Sequence, residues 1–361
     1  MTSSQVLIWG GLAVGILFGI AARLSSLCLL SGLRGWWLSG DGRPIRTFAL
    51  AIAVALAGSQ ALQAAGVVDL SQSIYVRDAF SLPLLFGGGL LFGIGMVMAN
   101  GCGARALVLL GGGNLRSLVV LVCIGIGGYV ALTGLLGPLR VWAGQVGVVG
   151  AAGAATIPGL LEKAGLGGPA ALWLTVIAIA GGLGLFALSH APFRKNLALP
   201  VGGAAVGCAI VAGWYVTGAL GADEFEPVPV ASATFIAPVG DTILYAMLST
   251  GKKISFGVTL VVGVALGSFM LAAAQGALKL QGFASPAVML RYMAGGVLMG
   301  IGGAFATGCS VGQGMTGLST LALMSIPAAA GIVAGTALAL PRQATESVVA
   351  GGRDVLREGR P

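Results

Sequence analysis

A fifteen-residue pattern occurs twice in this chain, once near each end. The first copy runs from Gly88-Gly89 through Leu91, Gly93-Ile94-Gly95 and Ala99 to Gly101-Cys102. The second runs from Gly295-Gly296 through Leu298, Gly300-Ile301-Gly302 and Ala306 to Gly308-Cys309. They lie 207 residues apart and agree at nine positions without a gap. Each is an apolar, glycine-rich helix that stops at a Gly-Cys pair. Such a chain is expected to fold as two related halves with a thiol at each matching break, the plan of membrane carriers whose site lies between repeats.

Composition places the chain in lipid. Apolar residues make up 57% and charged residues 8%, and mean hydropathy is +0.99. Soluble domains carry about 25% charged residues. Apolar runs of about 20 residues, enough to cross the hydrocarbon of a bilayer, recur near 6–28, 46–66, 83–101, 116–137, 170–190, 197–219, 255–276, 291–308 and 319–340. The expected fold is an all-α integral membrane protein of nine transmembrane helices in two repeats, with broken helices and short central half-helices. The start, Met1-Thr2-Ser3-Ser4-Gln5, lacks the basic segment of a cleavable signal.

The repeat extends beyond the glycines. Val54-Ala55-Leu56 and Gly58-Ser59 in the second helix match Val264-Ala265-Leu266 and Gly267-Ser268 in the seventh. Helices one to four then map onto six to nine, a shift of five, so the second half is expected to be inverted. The corresponding boundaries are 1–137 for the first repeat, 138–196 for a linker and connecting helix, 197–341 for the second repeat, and 342–361 for a polar tail. Net charge is +8. In a membrane protein this reads as loop charge that sets topology, with no call for nucleic acid. The tally is 14 Lys and Arg on one side against 5 on the other. The richer side should be cytoplasmic, which puts the N-terminus and the acidic loop Asp223–Glu226 outside and the C-terminus inside.

The chemistry concentrates at the breaks. Asn100-Gly101-Cys102-Gly103 and Thr307-Gly308-Cys309-Ser310 are poor helix formers, and unwound backbone at membrane depth is tolerated only where it is buried or lines a cavity. If 104–110 and 311–318 restart as half-helices, their first N–H groups favour an anion at the break. Arg105 follows Cys102 by three residues, aimed either at the cavity or, by snorkelling, at the cytoplasmic rim. Cys28, near the end of the first helix, is ordinary by itself, and its repeat equivalent around 233–238 has no cysteine. Cys123 and Cys208, in mid-helix, read as small buried apolar residues.

Several chemistries find no support. Five cysteines without a CxxC pair do not make a disulfide framework or a zinc site, and His190 is the lone histidine. Gly312-Gln313-Gly314-Met315-Thr316-Gly317 fits GxGxxG, but no strand precedes it, so it reads as a flexible turn without a nucleotide. No Walker A sequence or paired intramembrane carboxylates occur. The glycines at 11, 15 and 19, at 89 and 93, at 203 and 207, and at 296 and 300 have helix-packing spacing. No cofactor, metal or catalytic group is expected.

The Gly101-Cys102-Gly103 and Thr307–Gly314 segments, with Cys28, resemble the YeeE/YedE family of sulfur-compound transporters over essentially the whole chain. Gly213–Gly218 and Phe235–Pro238 are also similar to it. The resemblance implies thiosulfate uptake across a bacterial inner membrane, without covalent chemistry, through a path pinched like an hourglass and lined by Cys28, Cys102 and Cys309. The matching break residues Gly101, Gly308, Asn100 and Thr307, with Arg105, complete the expected binding set. It also implies a separate soluble sulfur carrier of the TusA type as partner, besides the surrounding lipid. Selenium compounds, or a sulfur relay through a cysteine persulfide, are the alternatives. A plain anion channel with merely packing cysteines is a third.

Overall fold

The computed structural model describes residues 2–150, 154–222, 228–283 and 285–358, from 342 onward as backbone alone. The chain is helical nearly throughout. In order, the helices are α1 (Ser3–Leu24), α2 (Leu29–Arg34), α3 (Arg43–Ala64), α4 (Leu82–Met98), α5 (Gly103–Gly111), α6 (Leu115–Leu132), α7 (Gly137–Ala143), α8 (Ile157–Lys163), α9 (Gly168–Val176) and α10 (Gly182–Leu188). There follow α11 (Ala191–Lys195), α12 (Ala198–Tyr215), α13 (Ala237–Met247), α14 (Phe256–Ala274), α15 (Pro286–Phe305) and α16 (Ser325–Glu358). Five of the long helices start where a short polar side chain satisfies an otherwise unpaired N–H. Thr2, Ser81, Asn114, Ser255 and Ser285 each accept such a bond.

Eight helical stretches among the described residues are long and apolar enough to cross a membrane. This is a multi-pass membrane protein. The stretch expected as a ninth crossing is an apolar helix from Ser325 to Pro341, one residue short of the eighteen that define the other eight. Its backbone stays helical past Pro341 to Glu358, where a separate tail was expected. The acidic loop 223–226 lies outside the described residues. The linker is structured: residues 79–81 pair antiparallel with 148–150, and Thr156 bridges to Ala322.

Glycines set the packing. In lipid, helices gain little from hiding apolar surface and associate through close backbone approach. Gly15 of α1 and Gly263 of α14 face one another so closely that a Cβ on either would stand 2.9 Å from the other's Cα. Contacts climb in step, Gly11 with Phe256 and Thr259, then Gly19 with Ser268, so α1 and α14 run parallel. By the same reasoning α3 and α12, α4 and α16, and α6 and α15 are parallel pairs. Two further pairs are antiparallel: α4 with α15 and α1 with α12. The α4–α15 crossing is reciprocal. A Cβ on Gly95 would meet the Gly295 carbonyl at 2.6 Å, and one on Gly302 the Gly88 carbonyl at 2.7 Å. All four glycine-spaced motifs make contacts within the chain.

One helix was invisible in the sequence. The irregular stretch 228–236 leads into α13, within what read as a loop. Asp241 of α13 pairs with Lys252 at 2.6 Å and accepts a bond from the Tyr129 hydroxyl of α6. The carboxylate holds the Lys252 ammonium above its usual range. Cys208 is exposed, although it read as buried, while Cys123 is buried as expected.

Close approach makes a direct forecast. Gly300→Val should abolish a monodisperse peak in size-exclusion chromatography, because a Cβ there would stand 2.6 Å from the Gly128 nitrogen. Rigid backbone cannot yield as a side chain does, and overpacking costs about 1–3 kcal/mol even where it can. Gly87→Val, on the same motif's first helix with nothing within 4 Å, should keep the peak and the melting temperature.

Candidate functional site

Three buried cysteines stand at three interruptions of the helical backbone. Two interruptions were legible as Gly-Cys breaks, and the third only as the end of the first helix. α4 ends at Ala99, and α5 restarts with Cys102 as its N-cap in extended conformation. α15 ends at Ala306, and the segment after Cys309 restarts as a wide π-helical turn, Gly312–Gly317. The third break follows α1: Cys28 is the extended N-cap of α2. Cys28, Cys102 and Cys309 are 2%, 3% and 1% exposed.

The left-handed residue that turns the chain is not the glycine. Asn100 has φ +55°, Thr307 has φ +54° and Ser26 has φ +50°. Asparagine tolerates this region. A β-branched threonine is an outlier there, and such a residue persists only when its surroundings hold it. Gln313 does so, its Nε2 donating to the Thr307 Oγ1 and to the Ala306 carbonyl, both at 2.7 Å. Gly101 and Gly308 are needed for room. A Cβ on Gly101 would stand 3.0 Å from Arg105 Cδ, and one on Gly308 3.0 Å from Gln313 Cγ.

The structure brings two of the three thiols together. The Cys28 and Cys102 thiols are neighbours, and the Ser310 hydroxyl lies beside Cys102. Backbone N–H groups face each sulfur: Ser31 at Cys28, Arg105 at Cys102, and Gly312, Val311 and Phe235 around Cys309. Gly312 N–H donates to the Cys309 sulfur at 3.3 Å. Arg105 lies half-buried at the Cys28 end and donates to Ser31 Oγ at 2.8 Å. Asn100 is farther out and exposed, and accepts from Arg34 at 3.1 Å. Phe235, packed on Phe18 with ring centroids 5.3 Å apart, brings its backbone N–H to Cys309.

The segment 312–317 is entirely buried and firmly tied, with Thr316 Oγ1 donating to the Ala233 carbonyl at 2.6 Å. It is no flexible turn. Sequence reasoning missed Ser310, Ser31 and Phe235. Adjacency to Cys309 was a usable signal for Ser310, and Phe235 was noted only for its likeness to the family; Ser31 had no signal. Among the described residues no group of three His, Cys, Asp or Glu is placed to hold a metal ion.

A family model described as "Sulphur transport" matches residues 23–338, a span that includes all three breaks. The chain belongs to this family. Two curated relatives carry the name Thiosulfate transporter TsuA. The protein from Spirochaeta thermophila is 27% identical over 88% of this chain and 94% of its own length. The one from Escherichia coli K12 is 25% identical over 86% and 87%. As a member of a sulphur-transport family with many apolar helices, the chain is read as a membrane transporter.

Burial predicts a labelling order. Under a brief exposure of the folded protein in detergent to a maleimide apolar enough to enter the detergent belt, Cys208 should react before Cys28, Cys102 and Cys309. Peptide mass spectrometry reads the order. Equal rates would mean that the three buried thiols are open to reagent.

Proposed function

We propose that the protein takes up thiosulfate across a bacterial inner membrane, passing it intact from Cys309 by way of Ser310 to Cys102 and then Cys28. The carrying observation is that three buried thiols each stand at a break in the helical backbone and each face N–H groups. The two relatives named for thiosulfate transport support the choice of substrate.

The chemistry suits the ion. Thiosulfate is a dianion with one soft terminal sulfur. Moving a bare ion into low dielectric costs tens of kcal/mol by the idealised Born estimate, so each stop must replace water with donors. Backbone N–H groups at the breaks serve the oxygens, and neutral thiols offer weak S–H donors to the sulfur. Thiolates would repel the ion. Arg105, beside Cys28, supplies positive charge at one end of the line, where the ion leaves. Gly101, Gly308, Asn100 and Thr307 shape the stops, and the stops bind weakly enough to release, as conduction through successive sites requires. No bond is made or broken, so the protein is a carrier and not an enzyme.

The reading includes two inverted repeats, 1–137 and 197–341, joined through 138–196 and followed by 342–361. Antiparallel packing of α1 on α12 and of α4 on α15, each the repeat partner of the other, supports the inversion. The exchange of the α1–α14 and α3–α12 pairs under the repeat supports it further. Charge asymmetry puts the N-terminus in the periplasm and the C-terminus in the cytoplasm. Cys28, after the outward-starting α1, then sits at the cytoplasmic end, where a separate TusA-type carrier would receive the sulfur compound.

A bacterium lacking its other thiosulfate importers, given thiosulfate as sole sulfur source, should grow with the intact chain. It should fail with Cys102→Ala at matched membrane expression. Equal growth would retire the thiol line, and no growth with either would retire thiosulfate as the substrate.

A further inference from the structure

The proposed passage uses Cys28 and Cys102 as separate stops, yet the fold holds them as a pair. Each is the extended N-cap residue of a short helix, Cys28 of α2 and Cys102 of α5. Both are buried, and their thiols are within hydrogen-bonding reach of one another. A second contact ties the same two helix starts together. Ser31 stands three residues past Cys28 and Arg105 three residues past Cys102, and Arg105 Nη1 donates to Ser31 Oγ at 2.8 Å. Farther along α2, Arg34 donates to Asn100 Oδ1, just ahead of Cys102, at 3.1 Å. The sulfurs are neighbours because the two helix starts are, and side-chain bonds on both sides of Cys102 hold them there.

Two thiols in contact are a two-electron reductant. A disulfide is shorter than the contact between two thiols, so forming one draws the pair together and needs no cavity. An N-cap residue has non-helical backbone, so each side chain can turn toward its partner without unwinding α2 or α5. The other cysteines are placed differently. Cys208 is exposed on α12, Cys123 of α6 packs against Gly296, and Cys309 is faced by the backbone N–H groups of Gly312, Val311 and Phe235. Burial keeps bulky oxidants from Cys28 and Cys102. An oxidant must therefore travel as the cargo does, which selects a disulfide with sulfonate ends. Tetrathionate, two thiosulfates joined through their outer sulfurs, is such a compound.

We infer that Cys28 and Cys102 form an oxidisable dithiol, that a sulfonate-ended disulfide such as tetrathionate closes it to a disulfide, and that the closed form stops passage. This rests on the thiosulfate reading, which supplies the oxidant's way in. One thiol, losing its proton to water, attacks a central sulfur of tetrathionate. The central S–S bond breaks, one thiosulfate leaves, and a protein S–S–SO3− adduct remains. The second thiol, also losing its proton to water, attacks the protein sulfur of that adduct and releases the second thiosulfate. Two thiols and one tetrathionate thus become one disulfide, two thiosulfates and two protons. The pair loses two electrons and the tetrathionate gains them. A disulfide has no S–H to donate, so two stops vanish from the path at once. Oxidised cargo shuts the carrier, and a reductant reopens it.

The test uses the full chain in proteoliposomes, either reduced or treated with excess tetrathionate and then washed. Part of each sample is denatured, alkylated and digested for peptide mass spectrometry, and part is assayed for uptake of sulfur-35 thiosulfate. Tetrathionate should link Cys28 to Cys102 and lower uptake about tenfold, and dithiothreitol should reverse both. In Cys28→Ser the link cannot form, and the S–S–SO3− adduct should persist on Cys102, a readout that needs no uptake. Absence of the Cys28–Cys102 link, a link that leaves uptake within about twofold of the reduced protein, or a Cys102 left unmodified in Cys28→Ser would each overturn the switch while leaving thiosulfate uptake intact. Loss of uptake with modification of Cys309 or Cys208 alone would overturn it as well. No uptake by the reduced protein would instead overturn the thiosulfate reading, and the switch with it.

Discussion

The architecture depends on the crossing of α4 and α15, where backbone meets backbone at four glycines. Gly88 lies against Gly302 and Gly95 against Gly295, with no side chain between them. Each helix then ends within about one turn of the contact, at Ala99 and at Ala306, and each break places a cysteine. The positions of Cys102 and Cys309 are therefore set by how closely two helices approach. Lipid offers no hydrophobic reward for that approach. It is held by packing, with α6 lying along α15 and α16 along α4.

The same crossing explains how an ion could be accommodated without a charged site. Helix breaks expose N–H groups that a continuous helix would consume. Buried between helices, those groups are kept from lipid, the condition under which irregular backbone is tolerated at membrane depth. The left-handed Asn100 and Thr307 direct the chain so that the following amides face the sulfurs. In this protein, Thr307 holds a backbone conformation rare for a β-branched residue, and the Gln313 bonds fix it there. Weak donors in series, with Arg105 at one end, suit an ion that must be released as readily as it is bound.

Much of this was legible because glycine spacing and Gly-Cys breaks are local signals. The membrane class, two of the three breaks, the packing motifs and most helix positions followed from them. The break at Cys28 was legible only as the end of the first helix near 28, because the turning residue is Ser26, with no glycine at the turn. α13 was hidden by Pro238, Asp241 and the lysines that follow, which look like loop until Asp241 finds Tyr129 and Lys252. Cys208 misled for a different reason. α12 is apolar on all sides, and in a membrane both lipid-facing and core-facing surfaces are apolar, so composition does not say which way a cysteine points.

The central claim is that a sulfur oxyanion passes the buried thiols whole. It is tested most directly by loading proteoliposomes with thiosulfate labelled either in its outer or in its inner sulfur and comparing the two rates of entry. Intact passage predicts equal rates for both labels and no label left on the protein. Entry of the outer sulfur alone, with the label held on a cysteine and sulfite remaining outside, would contradict it.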